Sequence, residues 1–194
     1  QAEEAARLAA ATIFANGGFH LLIGERDGAL CDAYYPKYAP LRPEFAAVMR
    51  GYYDFFVRYE NWLVDPRLEL LPAAAVGGEG KVRLGGDRAY GSRPQQDATW
   101  VIAREAPGLL TLSLLNLAGQ TNTLWNALHT APTPQVDIPV SLRTATVVRS
   151  VTFASPDRDG GRPQPLAFQT ERNRVTFTIP YLDRWDLVIV ETAG

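Results

Sequence analysis

The stretch that most constrains the fold is Gly17-Gly18-Phe19-His20-Leu21-Leu22-Ile23-Gly24-Glu25. A short, mostly apolar run between a Gly-Gly break and a Gly-Glu end reads as a strand near 19–25, buried on both faces as in parallel sheets. Residues 2–15 ahead of it are Ala-rich and lack Pro and Gly, so they read as a helix that Asn16-Gly17 stops. Beyond it come a loop with Asp27-Gly28 and Tyr34-Tyr35-Pro36, then a helix near 43–63 opened by Pro43. Phe45, Val48, Met49, Tyr52, Phe55, Phe56, Tyr59, Trp62 and Leu63 recur every three or four residues and give that helix one wide apolar face. Helix, buried strand and aromatic-rich helix make an αβα piece, the closing segment of an α/β barrel or open sheet. One parallel strand has no sheet to sit in, so the piece is not whole. The aromatic face is expected to pack onto barrel strands that the chain lacks.

After Asp65 the periodicity changes. A small-residue stretch, Ala73-Ala74-Ala75-Val76-Gly77-Gly78-Glu79-Gly80, is followed by alternation of period two, with strands expected at 81–84, 99–104, 109–117, 136–142, 147–154, 166–169, 174–179 and 187–191. Gly85-Gly86-Asp87, Ala106-Pro107-Gly108, Ser155-Pro156-Asp157, Asp159-Gly160-Gly161 and Glu171-Arg172-Asn173 supply turns between them. The expected fold is therefore mostly β: residues 1–71 form an αβα piece of an α/β barrel or open sheet, and 72–194 an antiparallel β-sandwich of Greek-key type.

Several classes are excluded by composition. Nineteen basic against 21 acidic residues leave a net charge of −2, which favours neither nucleic acid nor an acidic membrane. No apolar run approaches the ~18 residues needed to cross a bilayer, and the acidic start Gln1-Ala2-Glu3-Glu4 does not read as a signal peptide. A single Cys precludes an internal disulfide. Two His and one Cys make no zinc cluster, and no cofactor is expected.

Residues 11–25, Tyr34-Tyr35-Pro36, Tyr52-Tyr53-Asp54-Phe55, Tyr59-Glu60-Asn61, Leu114-Leu115-Asn116-Leu117 and Trp125 together resemble the C-terminal part of glycoside hydrolase family 66, the endodextranases and cycloisomaltooligosaccharide glucanotransferases. The resemblance runs in order through most of the chain. It implies a (β/α)8 catalytic barrel followed by a sandwich, an α-1,6-glucan substrate, and secretion to the extracellular space or periplasm, because dextran is too large to enter cells. The remainder of the same enzyme, the upstream barrel, would be the chain's partner.

Glycoside hydrolysis needs two carboxyl groups facing across the scissile bond, about 5–5.5 Å apart for retention and ~6.5–9.5 Å for inversion. Glu25 and Asp27 stand where a barrel's active site lies, at the C-terminal end of the strand. Asp54 with Glu60, Asp157 with Asp159, and Asp183 with Asp186 are less well placed. The resemblance puts the nucleophile Asp and the acid/base Glu upstream, so no catalytic residue is expected within the chain. Glu25 then either bonds sugar hydroxyls on the active-site floor or caps the strand end. Asp32, Tyr34 and Tyr35 either form a sugar subsite at the barrel mouth or cover its rim.

His20 is expected as a core histidine, and His129 lacks an acidic or Ser partner in the sequence. Asp157-Arg158-Asp159-Gly160 reads as a turn rather than a calcium loop. Trp125, in the long connection 118–135, either anchors that loop or offers a sugar platform. Two readings of the chain stand: the C-terminal part of a secreted α-1,6-glucan enzyme, with the sandwich as buttress, and a noncatalytic sandwich module binding polysaccharide or a partner protein. A strand ending in Gly-Glu with an aromatic loop beyond it favours the first.

Overall fold

A computed structural model describes residues 1–20, 28–32, 37–124 and 127–193, the backbone alone at 29–32, 37 and 38. Helix α1 (Ala2–Ala15) ends where the sequence stops it. Gly17, at φ +75°, lets its N–H reach Phe14 O (2.9 Å) while Gly18 N–H reaches Ile13 O (2.8 Å), a Schellman closure. Helix α2 (Pro43–Arg58) starts on Pro43 after an extended Arg42. It breaks at Tyr59 into the short α3 (Glu60–Leu63).

The two long helices lie side by side and run the same way. At their starts the Arg42 guanidinium grips both Glu3 carboxylate oxygens (2.7 and 2.6 Å). At their ends Phe14 stacks on Phe56 with centroids 4.5 Å apart. Between them the expected strand differs from the structure where it can be compared: Phe19 and His20 belong to no strand, and Phe19 is 80% exposed; residues 21–25 lie outside those described. The region expected as loop contains an antiparallel hairpin, β1 (Gly28–Asp32) and β2 (Lys37–Pro40), with Leu30 opposite Tyr38 and Asp32 opposite Lys37. Strands this short carry too few alternations for a pattern to register.

Two sheets follow. The larger has seven strands, in the order β10 (Gln164–Pro165), β9 (Val148–Ala154), β13 (Trp185–Thr192), β7 (Leu109–Asn116), β6 (Thr99–Ala106) and β3 (Glu69–Leu70), with β5 (Tyr90–Gly91) parallel beside β6. The smaller has four: β11 (Phe168–Glu171), β12 (Arg174–Leu182), β8 (Gln135–Arg143) and β4 (Val82–Leu84). Pairings along both orders are antiparallel, as expected of a sandwich. The β6–β7 hairpin turns on Pro107-Gly108, with Gly108 at φ +79°, where a glycine is required. The two-residue strands β3, β5 and β10 were beyond the reach of periodicity.

Two apolar cores result. Val101, Ala103, Leu110, Leu112, Leu114, Phe153, Val188 and Val190 face the smaller sheet's Val82, Ile138, Val140, Leu142, Val175, Phe177 and Ile179. The opposite face of the larger sheet presents Ile102, Leu115, Trp185, Leu187 and Ile189 to Phe14, Phe45, Met49, Tyr52, Phe55 and Phe56 of the helices. The aromatic helix face therefore packs on the sandwich and on α1, contrary to the expectation that it awaits missing barrel strands. Each such side chain contributes roughly 1.5–3 kcal/mol on burial, enough to hold the helices to the sheet. Strand β13 is consequently covered on both faces from Trp185 to Val190, which matches the apolar run Leu187–Val190 and leaves Asp186 buried within it.

Candidate functional site

Of the residues expected to touch sugar, Glu25, Tyr34 and Tyr35 lie outside those described, as does Trp125. Asp32 closes β1 opposite Lys37. His20 follows α1, its ring between Phe14 and Tyr53 with centroids 6.2 and 6.4 Å away. Its carbonyl accepts the Tyr53 hydroxyl (2.7 Å), its Nδ1 is buried without a partner, and burial lowers its pKa. That is a packed, neutral imidazole beside the helix end, not a base aimed at a reacting group.

The described polar residues gather in three places. The first joins helices to sandwich. Asp157, expected in a turn, is half-buried and fully bonded: its Oδ1 accepts the Tyr52 hydroxyl (2.7 Å) and its Oδ2 the backbone N–H groups of Arg184 and Trp185 (both 3.0 Å). Arg184 in turn forks onto Glu4 of α1 (2.7 and 2.8 Å). Burial raises the Asp157 pKa, against the lowering effect of the Tyr52 bond. Nearby, Arg58 and Tyr59 donate to the carbonyls of Gly160 and Gly161 (2.8 and 2.9 Å). Tyr52→Phe should cost about 1–3 kcal/mol by leaving a part-buried carboxylate oxygen unbonded. An unchanged urea midpoint would show that the bond contributes nothing.

The second fixes the long connection to the sandwich. Asn116, 2% exposed, donates to the carbonyls of Thr133 (2.8 Å), Leu182 (3.1 Å) and Asp183 (2.9 Å) and accepts from Ala118 N–H (3.0 Å) and Gln135 Nε2 (2.9 Å). His129, also buried, sits between Gln120 Oε1 (3.0 Å) and Leu124 O (2.9 Å), so its role is structural. Asp186, inside β13, is wholly buried with both carboxyl oxygens unbonded. The Ser155 hydroxyl is committed to the Trp185 carbonyl (2.9 Å). Burial drives the Asp186 pKa far upward, reinforced by Asp157 and Asp183 and opposed by Ser155 and Arg158. A carboxylic acid kept neutral in this way is common at functional sites, but Asp186 faces the inter-sheet core and opens on no cleft.

The third is a cleft of about 780 Å3 at the C-terminal end of the helices. Glu60, Asn61 and Trp62 of α3 and the following Asp65-Pro66-Arg67 form one wall; the Pro107-Gly108 turn, Arg149, Glu191 and Thr192 form the other. The sequence reading placed Trp62 in the apolar stripe of one long helix. The break at Tyr59 turns Trp62 half out, 6.0 Å from the Tyr59 ring. Among the described residues no group of three or more His, Cys, Asp or Glu could hold a metal ion, and no helix is long and apolar enough to cross a membrane.

The fold is thus a layer of two parallel helices fastened to an antiparallel sandwich. The model of glycosyl hydrolase family 66 matches residues 1–189, and the chain belongs to that family. Two cycloisomaltooligosaccharide glucanotransferases of Niallia circulans are 29% and 26% identical to it over 97% of the chain. The chain spans 20% of the length of each of these relatives. A Paenibacillus sp. cycloisomaltooligosaccharide glucanotransferase, solved with cycloisomaltoheptaose, superposes with a TM-score of 0.85 at 27% identity, over 95% of this chain and 27% of that one.

Proposed function

We propose that this chain is the C-terminal part of a secreted enzyme acting on α-1,6-glucan, in which α1 and α2 flank the last strand of a catalytic barrel and the sandwich braces them. The observation that carries this is the parallel helix pair. Two neighbouring helices that run the same way require the chain between Gly17 and Leu41 to travel back their whole length, which is the topology of a barrel's αβα unit. The outer side of the pair leaves Phe19 80% and Val57 63% exposed, where the remaining barrel would sit. In such a barrel the start of α2 lies at the face that carries the active site. In this reading Glu25, Asp32, Tyr34 and Tyr35, which precede α2 in the sequence, serve that face as sugar contacts.

Catalysis in this reading belongs to an Asp nucleophile and a Glu acid/base on upstream strands. Transfer of the cleaved glucosyl chain onto its own end is favoured over endohydrolysis by the names of the relatives, all of them cyclising glucanotransferases. Reducing-sugar release and cyclic product formation from dextran test the proposal. The 194-residue chain alone should give neither, and the longer polypeptide that includes the upstream barrel should give both. Turnover by this chain alone that vanishes in Glu25→Gln would overturn the placement and make Glu25 catalytic here.

A further inference from the structure

The cleft at α3 has a use that neither the barrel closure nor the bracing requires. Its lining holds carboxylates from Glu60, Asp65 and Glu191 and guanidinium groups from Arg67 and Arg149. Three of these are already engaged: Arg67 forks onto Asp65 (2.7 Å), and Glu191 accepts the Ser150 hydroxyl (2.6 Å). The side chains of Glu60, Asn61 and Arg149 have no hydrogen-bond or ion-pair partner among the described residues. What remains is one unengaged carboxylate, one amide and one guanidinium around a half-exposed indole.

That inventory selects its ligand. Three carboxylates against two guanidinium groups leave the lining net negative, so it does not attract a phosphate or a nucleic acid. An amide, a carboxylate and a guanidinium together donate and accept toward hydroxyl groups, which themselves do both. The flat apolar face of Trp62 suits the C–H face of a pyranose ring, and its indole N–H is left for a hydroxyl. At about 780 Å3 the cleft falls within the range of ligand sites, ~300–1,000 Å3, with room for a short run of sugars. Its walls are also held in place: Thr192 N–H bonds the Gly108 carbonyl (2.9 Å), and Arg104 reaches from the sheet to the Leu63 carbonyl (3.2 Å) just behind Trp62.

We infer that this cleft is a glucan-docking site in which Trp62 stacks on a glucosyl ring while Glu60, Asn61 and Arg149 bond its hydroxyls. The α-1,6 linkage of that glucan rests on the proposed function above; the ring-stacking chemistry does not. The site would hold a polymeric substrate on the enzyme between turnovers.

Titration of the 194-residue chain with isomaltohexaose, followed by calorimetry and tryptophan fluorescence, tests the inference, with maltohexaose and cellohexaose as controls. Saturable binding of isomaltohexaose is expected, weakened at least tenfold by Trp62→Ala and about threefold by Arg149→Gln. Arg149 is exposed on an edge of the cleft, so its variant keeps the test interpretable should Trp62→Ala unfold. No saturable binding by the folded chain, or equal binding by Trp62→Ala or Arg149→Gln, would overturn the docking site. Equal or tighter binding of maltohexaose or cellohexaose would overturn its α-1,6 assignment. Failure of the proposed function would show separately, as absent dextran turnover by the longer polypeptide.

Discussion

Trp185→Ala should lower the stability of the chain by about 3–5 kcal/mol, the range for removing a buried aromatic from a well-packed core. Trp185 is fully buried at the start of β13, where its ring lies 4.9 Å from Phe55, 6.2 Å from Tyr52 and 6.3 Å from Phe14. Its ring thus meets both long helices. A domain of ordinary stability holds only about 5–15 kcal/mol in all, so the variant would be close to unfolding at 37 °C. The indole N–H of Trp185 is buried without a partner. Trp185→Phe, which keeps a ring and discards that N–H, should therefore lose far less. Urea denaturation of both variants checks this, and a loss under ~1 kcal/mol for Trp185→Ala would mean the helices are held elsewhere.

The second large effect is on pH dependence. The folded pKa of Asp186 lies well above its ordinary value of 3.8 because burial penalises the charged form. The folded state therefore keeps a proton that the unfolded state has released. The associated stability is fully present below pH ~4 and is lost as pH rises toward the folded pKa, at up to about 1.4 kcal/mol per pH unit. Asp157, whose pKa burial also raises, adds a smaller loss of the same sign. Asp186→Asn is neutral throughout, so its stability should fall less steeply between pH 4 and 8. At pH 8 its Tm should exceed that of the parent chain, each kcal/mol being worth roughly 2–4 °C at this size. Parallel curves for the two proteins over that range would show that Asp186 is not held protonated.

Asp186 also shows where the sequence was readable and where it was not. Alternating or apolar runs bounded by turn residues found the long strands β6, β7, β8, β9, β12 and β13 to within a few residues, because their side chains enter one core or, in β7 and β13, both. The Asn16-Gly17 stop and the Pro43 start were legible from local backbone chemistry alone. What alternation does not report is which apolar face meets which. The stripe from Phe45 to Leu63 was recognised, yet its partner, the Trp185 face of β13, lies more than 120 positions away. A separation of 105 positions from Tyr52 likewise hid Asp157, which looks like any turn aspartate until Tyr52 and the Trp185 N–H are brought to it. Trp62 was misread because a helix interrupted at Tyr59 keeps the three-and-four spacing of an unbroken one. For Glu25, Tyr34 and Tyr35 the sequence reading stands as it was, since those residues fall outside the described chain.

The position of β13 sets the order in which the molecule can be finished. It fills the middle of the larger sheet, between β9 and β7, and it supplies Trp185, Leu187 and Ile189 to the helix-facing core. It is also made after every other described strand. During synthesis the aromatic face of α2 must wait for the final strand, and until that strand inserts, two sheet edges and a helical layer stand uncovered together. Removal of β13 alone would therefore open the larger sheet between β9 and β7 and uncover the aromatic face of α2 together.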